Sequence, residues 1–452
     1  MSEEATLDEF VNETAESQNN QDQPIPDGWQ MARADEIMEI TRGASPRPKG
    51  DPELFGGDIP WVKIGDVDVK NARYTGETED TVTEKGAEKS KLVDSGTLLV
   101  SNSGTCGYPM FAGVESCVHD GWLILRDYEE SLNPHYFYEF INWKQEYLKS
   151  LAPGSTQINL NTSRFGVLEI NIPPLSEQSK IATVLYTVDQ AIEKTEKIID
   201  RNQKLKKGIR QDIFQHGGLS DEKTIPRRIG PKEYEMPEDW EITNLSQVAE
   251  IKGGQGFKSA NYVDEGVPLV KISNVQNGYL DLQDTSYLPE EYLDEYSEVA
   301  LSTGDVVLVL TRPIIGDGIK AARIDREDRF LLNQRLAVVD PLDEDTILRE
   351  YLYHLIFTSV FIDQVKATVR ATHQPNLSKT DLQNFSIPIP EIEQQRDICK
   401  VLRSVEDTVE KNKSYRANLK RTKRGLMQDL LSGTVRTTDT NIEVPEEIAQ
   451  YG

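Results

Sequence analysis

Cysteine is scarce. Cys106, Cys117 and Cys399 are the three in 452 residues, and their odd number and wide spacing suggest neither a disulfide framework nor a thiolate metal site. Histidine is scarce too: His119, His135, His216, His354 and His373 are scattered, with no two at metal-ligand spacing. No apolar run approaches the ~20 residues of a membrane span, and the acidic start is unlike a signal peptide. A reduced, cytoplasmic setting fits these absences. Positive charge is the other shortage, with 50 Lys and Arg against 76 Asp and Glu for a net charge of −26. Taken alone, that disfavours nucleic acid, because counterion release from phosphates needs clustered cations. The acid is diffuse, however, with one concentration at Glu3, Glu4, Asp8, Glu9, Glu13 and Glu16 and no base before Arg33. It fits either a protein partner or a chain adapted to high salt, so local basic clusters outweigh the total.

What the chain has in abundance is itself. Gln178-Ser-Lys-Ile-Ala-Thr-Val-Leu185 returns as Gln395-Arg-Asp-Ile-Cys-Lys-Val-Leu402, and Lys206-Lys-Gly-Ile-Arg-Gln-Asp-Ile213 returns as Lys423-Arg-Gly-Leu-Met-Gln-Asp-Leu430. Both repeats stand 217 positions apart, as do Thr156-Gln-Ile-Asn-Leu160 and His373-Gln-Pro-Asn-Leu377. Earlier in each half the offset drifts, from Trp29 and Trp240 to Lys63 and Lys271. Insertions have therefore accumulated inside the domains but not in the segments after them. A duplicated chain is pseudo-symmetric, and duplex DNA is a partner with two-fold symmetry of its own.

Short apolar runs read as strands: Trp61–Ile64 beside Leu269–Ile272, then Thr97–Val100 beside Val306–Leu310. Each half then has an aromatic-rich helical stretch, Tyr136–Leu148 and Tyr351–Phe361, which together give a mixed α/β (α+β) domain of about 150 residues. Each conserved segment reads as one long helix, 176–217 and 391–432, with prolines before it and glycines after. Seam positions at spacings of three and four include Ile181, Leu185, Val188, Ile192, Thr195, Ile198, Asn202, Leu205, Ile209 and Ile213. The second helix has Ile398, Leu402, Val405, Val409, Asn412, Tyr415, Leu419, Thr422, Leu426 and Leu430. That stripe cannot be buried by one helix, so the two pack as a coiled coil, with chain order favouring an antiparallel pair about 60 Å long. The expected organisation is a disordered acidic tail at 1–25, a first domain at 26–175 and its helix. A linker at 218–236, a second domain at 237–390, its helix and a tail at 433–452 complete it.

No catalytic constellation emerges, and no metal set. Asn133-Pro-His-Tyr136 reads as a turn opening a helix. Gly253-Gly-Gln-Gly-Phe-Lys-Ser259 lacks the Gly-Lys-Ser ending of a phosphate loop, because Phe257 intervenes. The candidates are instead cations in Gly-rich loops, which can approach phosphates and guanine edges. The first domain offers Arg42, Arg47, Lys49 and Lys63, and the second Lys252, Lys258, Lys271, Arg312, Lys320 and Arg323. A further basic group at the helix ends (Lys204, Lys206, Lys207, Arg210; Lys420, Arg421, Lys423, Arg424) is as well explained by the helix dipole.

These residues resemble the specificity (S) subunit of type I restriction–modification enzymes. The resemblance is carried by Gly43-Ala-Ser-Pro46 with Gly56-Gly-Asp-Ile-Pro-Trp61, by Gly256-Phe-Lys-Ser259 with Lys271-Ile-Ser-Asn274, and by Gln157-x-Asn-Leu160 and Gln374-x-Asn-Leu377 at the domain-to-helix junctions. It spans about Pro26 to Arg436, although Gly43-Ala-Ser-Pro46 lacks the commoner Gly-Thr-Pro and Thr311-Arg-Pro313 lacks its usual following Gly. It implies a non-catalytic recognition subunit with two target recognition domains. Each would read one half of a split, asymmetric double-stranded DNA site, and the helix pair would set the gap and dock two methyltransferase subunits. Restriction/translocase subunits would join, with S-adenosylmethionine, ATP and Mg²⁺ bound in the partners and no cofactor here. A protein-interaction scaffold and the specificity subunit of a phage-exclusion system are the alternatives.

Overall fold

Runs of Val, Leu and Ile that are buried at every position, such as Leu98–Ser101 and Val306–Val309, mark strands covered on both faces. In the computed structural model, which describes residues 25–68, 72–151, 159–217, 223–326, 329–370 and 375–449, each becomes an inner strand of a four-stranded antiparallel sheet. Across the first sheet the order is Glu39–Arg42, Trp122–Arg126, Leu98–Ser101, Pro109–Phe111. Its counterpart in the second half runs Ala249–Gly253, Leu336–Pro341, Val306–Val309, Ala321–Arg323. A second sheet in each half has a parallel pair at its centre, Phe55–Val62 with Ser116–Val118 and Val267–Val270 with Phe330–Leu332. A two-stranded ribbon closes each domain, Gln30–Arg33 with Glu169–Ile172 and Glu241–Asn244 with Ser386–Ile389. The halves thus share one strand order despite their drifted spacing.

The aromatic stretches are helical, but each is broken into two helices, Pro134–Trp143 with Gln145–Ser150 and Arg349–Ile356 with Ser359–Arg370. Asn133 caps the helix Pro134–Trp143, its side-chain oxygen accepting from the His135 N–H at 2.9 Å, so Asn-Pro is a helix-opening turn. Tyr136 Oη donates to the Asn171 carbonyl at 2.7 Å, and Tyr351, in the helix Arg349–Ile356, donates to the Pro388 carbonyl at 2.8 Å.

The chain divides into two compact units: residues up to Thr195 with those from Tyr415 onward, and Glu196–Ser414. Both long helices, Leu175–His216 and Ile392–Leu431, contribute to both units. In the first unit the start of one helix meets the end of the other, with Ile181 and Leu185 sharing a core with Leu430 and Leu431. In the second unit Ile213 and Phe214 share a core with Ile398 and Leu402. Within each unit the pairing is therefore antiparallel. The repeated glutamines act as matched latches. The Gln178 side chain accepts from the Asn133 N–H at 2.8 Å and donates to the Ser131 and Pro173 carbonyls. Gln395 accepts from the Leu348 N–H at 2.9 Å and donates to the Thr346 and Pro390 carbonyls. Gly217 (φ 62°) and Gly433 (φ 77°) follow the helices in the left-handed conformation that ends them.

The seam departs from the even pattern read from the sequence. Ile198, Leu205 and Tyr415 are exposed, at 42%, 51% and 54%, whereas Thr195, Ile199 and Val409 are buried. The step after Thr195 is four residues and not three, because a helix of 3.6 residues per turn drifts off a 3.5 repeat. Val188, Ile192, Ile209, Val405 and Leu426 are half-buried. Two further segments differ from expectation. Within the stretch read as a linker, Thr224–Ile229 and Lys232–Pro237 form a hairpin whose Ile229, Tyr234 and Met236 enter the second core. The tail from 433 carries the helix Glu446–Ala449 and buries Thr437 and Ile448 against the first unit. The acidic stretch to residue 24, with Gln157, His373 and Gln374, lies outside the described residues.

Lys206 and Lys423, expected as dipole-complementing cations, form matched ion pairs instead: Lys423 with Asp189 and Lys206 with Glu406, both at 2.7 Å. Beside them the aromatic helices carry His135 and Glu139 in one half and Glu350 and His354 in the other, so acid and imidazole have exchanged places over one helical turn.

Candidate nucleic-acid interface

Three loops meet at the strand ends of each domain, and the same main-chain bonds hold them in both. Gly43 N–H donates to the Trp122 carbonyl at 2.9 Å and Ala44 N–H to the Val118 carbonyl at 3.1 Å. Gly254 donates to Leu336 at 3.1 Å and Gln255 to Leu332 at 3.0 Å. A Cβ on Gly43 would lie 2.2 Å from the His119 carbonyl oxygen, and one on Gly254 would lie 2.1 Å from that of Asn333. Only glycine allows so close an approach, which explains the glycine opening both loops. The correspondence sets Arg47 opposite Lys258. The Gly253–Ser259 segment is thus the counterpart of the loop that Gly43 opens, with Lys258 exposed.

In the first domain Arg42 Nε donates to the Asp120 carbonyl at 2.6 Å, and the Ser45 hydroxyl bonds the Asp120 carboxylate. Burial, reinforced by Arg47, Lys49 and Arg42, pushes the His119 imidazole below its usual pKa, against the pull of Asp120. The structure therefore gathers Arg42, Arg47 and Lys49 around the His119–Asp120 turn. Arg47 and Lys49 are exposed and have no side-chain ion pair among the described residues. Lys63 stands beside this turn but is engaged by Asp80 at 2.7 Å and Asp66 at 3.3 Å.

In the second domain Lys258 and Arg312 are exposed, and Lys320 is half-buried with its N–H on the Pro313 carbonyl at 2.7 Å. Lys271 donates to the Ser286 hydroxyl at 2.7 Å. Lys252 is held by Asp340. Arg323 lies away from the loops, against the Tyr353 ring at 4.9 Å and Glu406 at 3.7 Å. Sequence reading missed Arg335, exposed in the turn that matches His119–Gly121, and missed His119 itself. Neither stands in a basic or Gly-rich run; only the strand order reveals where they sit. The repeated Asn-Leu pairs do have a visible role: Leu160 N–H donates to the Asn102 carbonyl and Leu377 N–H to the Leu310 carbonyl, both at 2.8 Å. They tie each domain's exit to its central loop.

Among the described residues no group of His, Cys, Asp and Glu could hold a metal ion, and no helix is long and apolar enough to cross a membrane. The three cysteines are buried thiols.

The family model for the type I restriction modification DNA specificity domain matches twice, at residues 26–201 and 237–421. The type I restriction enzyme MjaVIII specificity subunit of Methanocaldococcus jannaschii is 27% identical over 418 residues, covering 92% of this chain and 95% of that one. The EcoKI specificity subunit of Escherichia coli is 21% identical over 420 residues, covering 86% and 84%. The S subunit of a type I restriction-modification system from M. genitalium has the same fold, with a TM-score of 0.53 at 17% identity over 91% of this chain and 97% of that one. Two copies of one strand order, each followed by a long helix, agree with these matches: the chain belongs to the type I restriction modification DNA specificity domain family, as a non-catalytic specificity subunit with two such domains.

Proposed function

We propose that each domain reads one half of a split, asymmetric site in double-stranded DNA, and that the helix pair fixes the gap and docks two methyltransferase subunits. Restriction/translocase subunits complete the assembly, in the cytoplasm, and methyl transfer, ATP hydrolysis and cleavage belong to the partners. One observation supports this most: the domains share both four-stranded sheets, the closing ribbon and the main-chain ties between the loops, yet differ in the side chains on the same three loops. A conserved frame with exchanged tips is what two readers of different half-sites require. The exposed Ile198, Leu205 and Tyr415 offer apolar surface for subunit docking.

The test is selection from a randomised duplex pool by the full chain with its methyltransferase subunit. The proposal expects two different short motifs separated by a fixed degenerate gap. A single uninterrupted palindrome, or no enrichment, would reject it.

A further inference from the structure

Three non-glycine residues of the described chain have left-handed backbone: Asp127 (φ 51°), Arg312 (φ 51°) and Arg335 (φ 70°). Two are exposed arginines in adjoining loops of the second domain, joined where the Leu310 N–H donates to the Arg335 carbonyl at 2.8 Å. A Cβ opposes this conformation and glycine relieves it. The first domain has glycine at both places, in left-handed backbone at the first of them and closely packed against Ile64 at the second. There the Asn102 N–H donates to the Gly121 carbonyl at 2.8 Å, and the bridge between Ser103 and Asn159 matches that between Thr311 and Asn376. These ties set Gly104 (φ 69°) opposite Arg312 and Gly121 opposite Arg335. One domain has glycine at two loop tips where the other keeps arginine under strain.

Strain retained at exposed positions calls for a function that glycine cannot supply. Arg323 and Arg349, in the same domain, are spent on carboxylates; Arg312 and Arg335 have no ion-pair partner among the described residues. A guanidinium fixed at its root and free at its tip offers a planar fork that fits O6 and N7 of guanine. We propose that Arg312 and Arg335 are guanine-reading residues of the second domain, and that their replacement by Gly104 and Gly121 in the first is one reason the half-sites differ. This rests on the reading that these loops face DNA.

The same pool selection, run with R312G, R335G and R335K beside the parent, tests it. Glycine takes the left-handed backbone without strain, so both glycine variants should melt at or above the parent's temperature. Each should lose guanine preference at positions within one half-site only, with affinity for the parental site falling roughly 5- to 150-fold. R335K should lose the same preference while keeping its charge. Variants that select the parental motif unchanged, or a parent motif with no guanine in the altered half, would overturn the assignment and leave bipartite reading intact. A parent that enriches nothing would overturn both.

Discussion

Replacing Glu177 with alanine should loosen the first unit by an amount the structure allows one to estimate. This carboxylate is 1% exposed yet accepts four hydrogen bonds: from Arg436 Nε and Nη2, each at 2.8 Å, from the Thr437 N–H at 3.1 Å and from Trp29 Nε1 at 3.1 Å. Burial alone would raise its pKa, but the bonds from Arg436, Thr437 and Trp29 hold it below the usual carboxylate range. Removing one member of a buried pair costs roughly 3–5 kcal/mol. Because the Arg436 side chain is 29% exposed and can turn to water, the lower end, about 3 kcal/mol, applies. For a unit of this size that is a fall of roughly 6–12 °C in its unfolding transition. The matched residue in the second unit is Gln394, which makes one side-chain bond, to Asp239 at 2.9 Å, so Q394A should cost no more than about 1 kcal/mol. Calorimetry of the two variants, with an E177A/R436A cycle, checks this. An E177A transition within about 1 kcal/mol of the parent, or a Q394A loss as large, would refute the idea that the tail is clamped by this carboxylate. The contribution should be complete at neutral pH and disappear as pH falls through the lowered folded pKa.

Three other predictions follow from the same geometry. His135 and His354 are buried, which lowers both to about 4; Arg73 adds to the effect at His135, and Arg210 and Lys206 at His354, outweighing the pull of Glu447 and Glu139 on the first and of Glu350 and Glu406 on the second. The unfolded chain takes up these protons near pH 6.5 and the folded chain near 4, so stability falls across that window by roughly 3 kcal/mol per histidine; H354Q should flatten the pH dependence of urea unfolding, and an unchanged slope would count against it. Removing Lys49 or Lys258 should reduce the salt slope of DNA affinity by about 0.9 per phosphate contact, whereas Lys63 and Lys252, already neutralised by Asp80 and Asp340, should change it little. Glutamate at Ile198, Leu205 or Tyr415 should leave melting unaltered and weaken co-purification of the methyltransferase subunit.

Much of this was legible because periodicity and repetition are local properties. The long helices and the matching strands of the two halves follow from spacing and duplication, whereas the antiparallel order was only favoured by them, since periodicity alone also allows a parallel pair. Charge pairing was less legible. Lys63 and Lys49 look alike as loop cations, but only the fold shows Lys63 facing Asp66 and Asp80. Lys206 and Lys423 looked like cations suited to helix ends, and their carboxylate partners lie on the opposite helix. Arg335 was missed because its interest lies in a backbone angle, which no composition or motif encodes. The hairpin at 224–237 was missed because its apolar residues, Ile229, Tyr234 and Met236, are too few to give a period before their neighbours are known.

The central claim is that the helix pair is a ruler between two readers, and lengthening the ruler tests it most directly. A seven-residue insertion between Thr195 and Glu196, with a matching one between Ser414 and Tyr415, keeps the seam in phase and adds about 10 Å, the rise of about three base pairs. Sequencing the sites that the lengthened protein and its methyltransferase subunit modify should return both half-motifs unchanged with a gap longer by about three base pairs. An unchanged gap, or altered half-motifs, would contradict the account.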